Sequence, residues 1–136
     1  MKNIEYLELL IGLFKYKIVF DELGNEFVLF LRSKCNSVEN IKDKTEFEAL
    51  ENHVHLLDSV NKYEFERLTF IAEELGQMLL NSLKYQYPNK GFIVFVSLSL
   101  NDSMIIRFHQ KWKNEEPYYS PSGFKSEKEK VFAFEA

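Results

Sequence analysis

The sequence predicts one α+β domain over residues 1–136, with helices packed on one face of a small, mainly antiparallel sheet. Two stretches carry this prediction: apolar residues at helical spacing over 61–86, and two alternating β-rich runs over 91–112. A chain of 136 residues with 46% hydrophobic residues is long enough for one core and too short for two.

The stretch 91–112 is predicted to be a β-hairpin that turns at residues 101–103. A three-residue loop pairs Leu98 with Ile106, whereas a two-residue loop would bring charged side chains onto the apolar face, so the three-residue loop is favoured. The predicted apolar face consists of Phe92, Val94, Val96, Leu98, Leu100, Met104, Ile106, Phe108 and Trp112. The second face is predicted to be mixed and open, with Ile93, Phe95, Ser97, Ser99, Ile105, Arg107, His109 and Lys111.

Residues 61–86 are predicted to form the longest helix, because Asn61 is a good N-cap with Glu64 three residues later. Its apolar stripe would cover the hairpin's apolar face, and Pro88 would end it. Gly76 lies inside this helix, where it is either a tolerated defect or a point of close approach to another element.

The first part of the chain alternates between helical and extended patterns. We expect a helix over 3–14, an extended stretch over 14–20 and a turn over 21–25. Residues 26–34 fit either a helix or a buried strand. The helix is favoured, because Arg32 would lie at its C-terminal end.

Residues 33–44 are polar and are predicted to be a surface loop. Thr45 and Glu48 have the spacing of a capping box, which predicts a short helix over 46–50. Residues 131–135 are predicted to be a final strand at a sheet edge.

The chain has a formal net charge of −4, which is distributed unevenly. Residues 1–80 hold 9 Lys/Arg against 15 Asp/Glu, and residues 81–136 hold 8 against 6. This balance argues against nucleic-acid binding, which depends on neutralising phosphates. The single Cys35 and the lack of an N-terminal signal pattern or a long apolar run predict a cytoplasmic protein without membrane contact.

The three histidines offer the one candidate metal site. On a strand, His53 and His55 point to one face and could share a metal with His109, helped by Glu51 or Asp58. A small metal-dependent enzyme is therefore an alternative function. Structural histidines are the commoner outcome of such spacing, and we expect no cofactor.

No catalytic motif accompanies these residues. Ser97 and Ser99 share a predicted face with His109, but the sequence has no Gly-x-Ser-x-Gly elbow and no Gly-rich phosphate loop. We therefore expect a protein that is not an enzyme. A homodimeric structural protein is a further alternative.

Two groups of residues are predicted to bind a protein partner, because one is acidic and the other combines aromatic and basic types common at interfaces. The acidic group is Glu39, Asp43, Glu46, Glu48 and Glu51. The second group, near the hairpin and the loop after it, is Arg107, His109, Trp112, Glu115, Tyr118 and Tyr119.

The run SMIIRFHQKW at 103–112, followed by EEPY at 115–118, resembles the C-terminal hairpin of small bacterial immunity proteins. These proteins neutralise polymorphic or contact-dependent growth-inhibition toxins. The resemblance implies that the chain binds a cognate toxin domain, often a nuclease, and occludes its active site. Acidic residues would then take the place of nucleic-acid phosphates.

Overall fold

The computed structural model describes residues 2–39, 41–119 and 129–136. The elements in these ranges are α1 Lys2–Gly12, β1 Tyr16–Phe20, β2 Glu26–Phe30, α2 Lys44–Glu51, β3 His53–Leu57, α3 Phe65–Gln86, β4 Phe92–Ser99, β5 Met104–Gln110 and β6 Glu129–Glu135. Strands β1 and β2 form one antiparallel sheet, and a second antiparallel sheet has the order β3-β5-β4-β6. The α+β prediction is confirmed, and β6 lies at a sheet edge as expected.

The long helix α3 covers one face of the four-stranded sheet. It begins at Phe65 rather than at the predicted residue 61, because Asn61 accepts a hydrogen bond from the Glu64 backbone and closes a separate turn. Ala72, Leu79 and Leu83 of this helix are buried in the main core together with β4 and β5. A helix with one apolar stripe and a sheet with one apolar face exclude water from each other, so the predicted pairing is confirmed.

The hairpin of β4 and β5 has a register different from the predicted one. Leu98 pairs with Met104 and Val96 with Ile106, so five residues lie between the last paired residues of the two strands instead of three. The loop closes through a hydrogen bond from the Ser99 nitrogen to the Ser103 oxygen, with Asn101 at φ 64°. Because the register moved by two residues, each side chain keeps its predicted face. Trp112, however, lies beyond the end of β5 and does not pair with Phe92.

Residues 26–30 form strand β2, so the favoured helix over 26–34 is wrong. Phe27 through Phe30 are all buried, because the two-stranded sheet has a core on each side. Val28 and Phe30 join the main core, whereas Phe27 and Leu29 form a smaller cluster. A strand that is buried on both faces has a continuous apolar run without alternation, which is why its pattern could not be separated from that of a helix.

Helix α2 exists, but its predicted capping box does not. Asp43 is the N-cap, and its side chain accepts a hydrogen bond from the Glu46 nitrogen at 2.9 Å. Thr45 lies inside the helix, and the Glu48 side chain is completely buried instead of returning to the N-terminus. The predicted loop over 33–44 has no regular structure up to Asp43 in its described part.

Candidate functional site

A groove of about 500 Å³ lies between the start of α2 and the chain after β5, near the predicted binding residues. We call it the acidic groove; it is lined by Lys42, Asp43, Thr45, Glu46, Asn114, Glu115, Glu116, Pro117 and Tyr118. It unites two segments about 70 residues apart in the sequence. Of the eleven predicted binding residues, four lie here: Asp43, Glu46, Glu115 and Tyr118.

Glu115 joins the two walls of the acidic groove. Its carboxylate accepts hydrogen bonds from the backbone nitrogens of Thr45, at 2.7 Å, and Lys44, at 3.3 Å. These are free N–H groups of the first turn of α2, where the helix dipole favours a negative charge. Partial burial opposes ionisation of Glu115, but the hydrogen bonds and the charge of Lys44 prevail, so the pKa of Glu115 lies below its ordinary value.

The charge of the groove is negative. Four carboxylates line it, and Lys42 is the one lysine among its lining residues. The nearby Lys44 ammonium lies 3.7 Å from Glu115 and 5.3 Å from the centre of the Trp112 ring. Glu46 and Glu116 are exposed, so their charges face the solvent.

Two smaller depressions extend the acidic groove. One of about 380 Å³ shares Asp43 and Glu46 with it and adds the apolar side chains of Ile41, Phe47 and Leu50. Another of about 270 Å³ shares Glu115 and Pro117. Apolar surface thus lies directly beside the carboxylates, a combination that protein interfaces use.

The second face of the hairpin is covered at Ile93, Phe95, Arg107 and His109, which contradicts the open face predicted from the sequence. Arg107 is 8% exposed and His109 is 1% exposed. The Arg107 guanidinium donates to the Ala49 carbonyl of α2 at 3.2 Å and lies 4.8 Å from the centre of the Tyr118 ring. Alternation along a strand identifies the face of a residue but cannot show that a distant segment covers that face.

His109 holds the segment that contains Tyr118 against this face of the hairpin. The Tyr118 nitrogen donates to His109 Nε2 at 3.1 Å, and His109 Nδ1 lies 2.7 Å from the Gln110 carbonyl oxygen. Burial lowers the pKa of His109, although Glu115 and Asp43 oppose this effect. Since both ring nitrogens have protein partners, His109 cannot donate to Ser97 or act as a metal ligand without breaking one of these contacts.

Glu48 and Trp112 stabilise the two segments that form the groove through buried contacts. The fully buried Glu48 carboxylate accepts a hydrogen bond from Trp112 Nε1 at 2.7 Å. The Trp112 ring packs against Phe27, with 5.2 Å between ring centres. In this structure Glu48, Arg107 and His109 therefore act as scaffold, and the solvent-facing acidic residues of the same segments form the surface.

The remaining predicted residues lie outside the groove. Glu39 and Glu51 are exposed, and Glu51 accepts a hydrogen bond from the Ser33 hydroxyl at 3.0 Å. Tyr119 is partly buried, with its ring 5.1 Å from that of Phe95. Sequence reasoning missed five lining residues: Lys42, Thr45, Asn114, Glu116 and Pro117. The Glu-Glu-Pro triplet was visible, but nothing local in it indicates contact with α2.

The histidines do not converge as the metal alternative requires. His53 and His55 point to the same exposed face of β3, as predicted, with 5.6 Å between ring centres. The backbone partner of His53 is Arg107, so His109 lies beyond the end of β3. Among the residues that the structure describes, no three His, Cys, Asp or Glu side chains are grouped to hold a metal ion.

None of the helices in the described ranges is long and apolar enough to cross a membrane. The fold is α+β, and hydrogen bonds hold Asp43 and Glu115 of the acidic groove in place. A comparison with known protein families, curated proteins and solved structures found no significant match.

Proposed function

We propose that this chain is a non-enzymatic protein-binding module, and more specifically an immunity protein that binds and blocks a cognate bacterial toxin domain. The observation that carries the proposal is the acidic groove, in which Asp43 and Glu46 face Glu115 and Glu116. A groove of this charge attracts a basic partner surface and orients it during encounter.

The hydrogen bonds that hold the acidic side chains of the groove favour tight binding over weak electrostatic attraction. Asp43 is fixed by its hydrogen bond to the Glu46 nitrogen, and Glu115 by two backbone N–H groups of α2. Side chains that are already ordered lose little conformational entropy when a partner binds. The apolar side chains of Phe47 and Leu50 add contact area beside the charges.

The proposed partner is a toxin domain because of two features taken together. The hairpin and the EEPY segment resemble those of immunity proteins, and in this chain EEPY forms one wall of the acidic groove. A nuclease toxin has a basic cleft for its nucleic-acid substrate. An array of carboxylates can occupy such a cleft in place of phosphates and exclude the substrate.

Co-purification and growth protection test the proposal. The probe is the protein encoded by the gene adjacent to this one, produced as its C-terminal domain in bacteria that do or do not produce this chain. The proposal predicts a stable complex and survival only when this chain is present. Absence of a complex together with absence of protection would refute it.

Charge-reversal variants test whether the partner binds at the acidic groove or at another surface. Glu46→Lys with Glu116→Lys should abolish protection, because it replaces two solvent-facing carboxylates of the groove by cations. Glu73→Lys with Glu74→Lys changes the charge by the same amount on exposed positions of α3 and should leave protection intact. Equal protection by both double variants would place the interface elsewhere.

A further inference from the structure

The hydrogen bonds of His109 determine its protonation state. The Tyr118 backbone nitrogen can only donate, so Nε2 must accept and carries no proton. The Gln110 carbonyl can only accept, so Nδ1 carries the proton. His109 is therefore a neutral imidazole with its hydrogen on Nδ1, almost completely buried at 1% exposure.

We infer that neutral His109 is a positioning residue that holds residues 115–119 against the sheet, so that partner binding at the acidic groove weakens when His109 becomes protonated. This inference rests on the proposed function, since it adds regulation to the same groove. The connection between His109 and the groove is short. His109 accepts a hydrogen bond from the Tyr118 nitrogen, and Tyr118 and the preceding Pro117 both line the groove.

Protonation removes the contact directly. With a hydrogen on Nε2, the imidazolium presents a donor to the Tyr118 N–H, and two donors facing each other cannot form a hydrogen bond. Loss of this hydrogen bond favours displacement of Tyr118 from the sheet.

The charges around His109 come from each element packed on it. Its own strand and the residue after it supply Arg107 and Lys111, the segment after β5 supplies Glu115, and the N-cap of α2 supplies Asp43. Glu135 at the end of β6 lines the same small depression, as does the uncharged Ile93 of β4. Tyr118 and Tyr119 complete the surroundings, the latter through the Phe95 ring that both His109 and Tyr119 contact.

The balance of these groups leaves the neutral form dominant at pH 7. Burial lowers the pKa of His109, and Glu115 and Asp43 raise it by a smaller amount. The unfolded chain binds this proton at a higher pH than the folded chain, so the neutral arrangement is fully populated above about pH 6.5 and is lost as the pH falls through the folded-state pKa.

Nuclear magnetic resonance on the isolated full-length protein tests the positioning role without any partner. The ring nitrogens of His109 should show the Nδ1–H tautomer at pH 8. As the pH is lowered through the titration of His109, the exchange protection factor of the Tyr118 amide should fall in the same step that protonates His109. The Val94 amide in the central strand β4 should keep its protection.

Two results would overturn the inference. One is an Nε2–H tautomer at pH 8, and the other is a Tyr118 protection factor that stays constant while His109 titrates. Either outcome concerns this chain alone, so it is distinguishable from failure of the proposed function, which shows as absence of a complex at every pH.

A variant at His109 tests whether protonation of this residue controls partner binding. His109→Gln keeps an acceptor oxygen for the Tyr118 nitrogen but cannot titrate. Affinity of the wild type for the adjacent-gene toxin domain should be about half its pH 7.5 value at the titration midpoint of His109 and should fall further below that pH, beyond any change in the variant. Equal pH dependence in the two proteins would refute control by His109.

Discussion

Glu48 accepts two hydrogen bonds from Gln110, one from the backbone nitrogen and one from the side-chain Nε2, both at 2.7 Å. Its carboxylate also accepts from the Val28 nitrogen at 2.9 Å and from Trp112 Nε1 at 2.7 Å. One buried side chain of α2 thereby connects β2, β5 and the segment that leads to the acidic groove. Four N–H donors match the acceptor capacity of an ionised carboxylate.

Glu48→Gln should destabilise the protein by roughly 2 to 4 kcal/mol at pH 8, because the new amide presents hydrogens to N–H donors that are themselves buried. Urea unfolding followed by the fluorescence of Trp112, the single tryptophan, measures the loss. Glu73→Gln, at an exposed position of α3, is the control and should change the free energy of unfolding by less than about 0.5 kcal/mol. Equal stability of the two variants would contradict this role of Glu48.

Glu48 should also give the stability a pH dependence of defined sign. Burial raises the pKa of Glu48 from 4.5 to about 7, against the effect of its hydrogen bonds. Between these values the folded protein retains a proton that the unfolded chain has released, so the free energy of unfolding falls as the pH rises. The total change approaches about 3 kcal/mol across the window.

The measurement is the free energy of unfolding of the wild type minus that of Glu48→Gln, determined at several pH values from 4.5 to 8. Subtraction removes the contribution of His109, which has the opposite sign because its pKa is lowered. We expect the difference to shrink as the pH rises. A difference that is constant with pH would rule out a raised pKa for Glu48.

Gly76 of α3 packs directly against the Phe134 ring of β6. A Cβ at this position would lie 2.2 Å from Cε2 of the Phe134 ring, well inside van der Waals contact. Gly76→Ala should therefore destabilise the protein by about 1 to 3 kcal/mol, although alanine favours the helix by about 1 kcal/mol. Gly12→Ala, with nothing within 4 Å, serves as the matched control in thermal unfolding.

A double variant tests whether contact with the Phe134 ring causes the loss of stability in Gly76→Ala. Phe134→Leu removes the aromatic ring atoms that the added methyl group would meet, so Gly76→Ala should cost less in the Phe134→Leu background than in the wild type. Additive losses would show that the two positions do not interact.

Asn52 joins the two sheets. Its Oδ1 accepts from the Phe30 nitrogen at 3.0 Å, and its Nδ2 donates to the carbonyls of Val28, at 2.9 Å, and Phe108, at 3.4 Å. Asn52→Asp places a carboxylate oxygen against two carbonyl oxygens in a fully buried site. We expect a loss of about 2 to 4 kcal/mol at pH 7, measured by urea unfolding, and almost none for Asn89→Asp at an exposed position.

Local patterns predicted several of the helices and strands. Helix α3, the two strands of the hairpin and the edge strand β6 follow from alternation or helical spacing alone. Strand β2 was one of two alternatives and was ranked below a helix, because Phe27 and Val28 face different cores, which removes the alternation. The hairpin register was predicted wrongly because backbone hydrogen bonds close its loop, including one from the Asn101 nitrogen to the Val60 carbonyl. Such contacts cannot be recognised in the amino-acid sequence alone.

The candidate site was predicted in composition and not in arrangement. Three of its four acidic residues, Asp43, Glu46 and Glu115, were identified from the sequence. The separation of exposed Glu46 from buried Glu48 depends on which side of α2 faces β5. The meeting of Glu115 with the N-terminus of α2 joins residues 70 positions apart. Contacts over such distances depend on the tertiary fold, so one sequence without its fold cannot specify them.

The acidic groove as the proposed partner-binding surface is tested most directly by calorimetric titration of the C-terminal domain encoded by the adjacent gene into three proteins. They are the wild type, Glu46→Lys with Glu116→Lys, and Glu73→Lys with Glu74→Lys. We predict that the groove variant binds at least about tenfold more weakly than the wild type, and that the α3 variant binds like the wild type. No binding by the wild type, or the same affinity for all three proteins, would contradict the account.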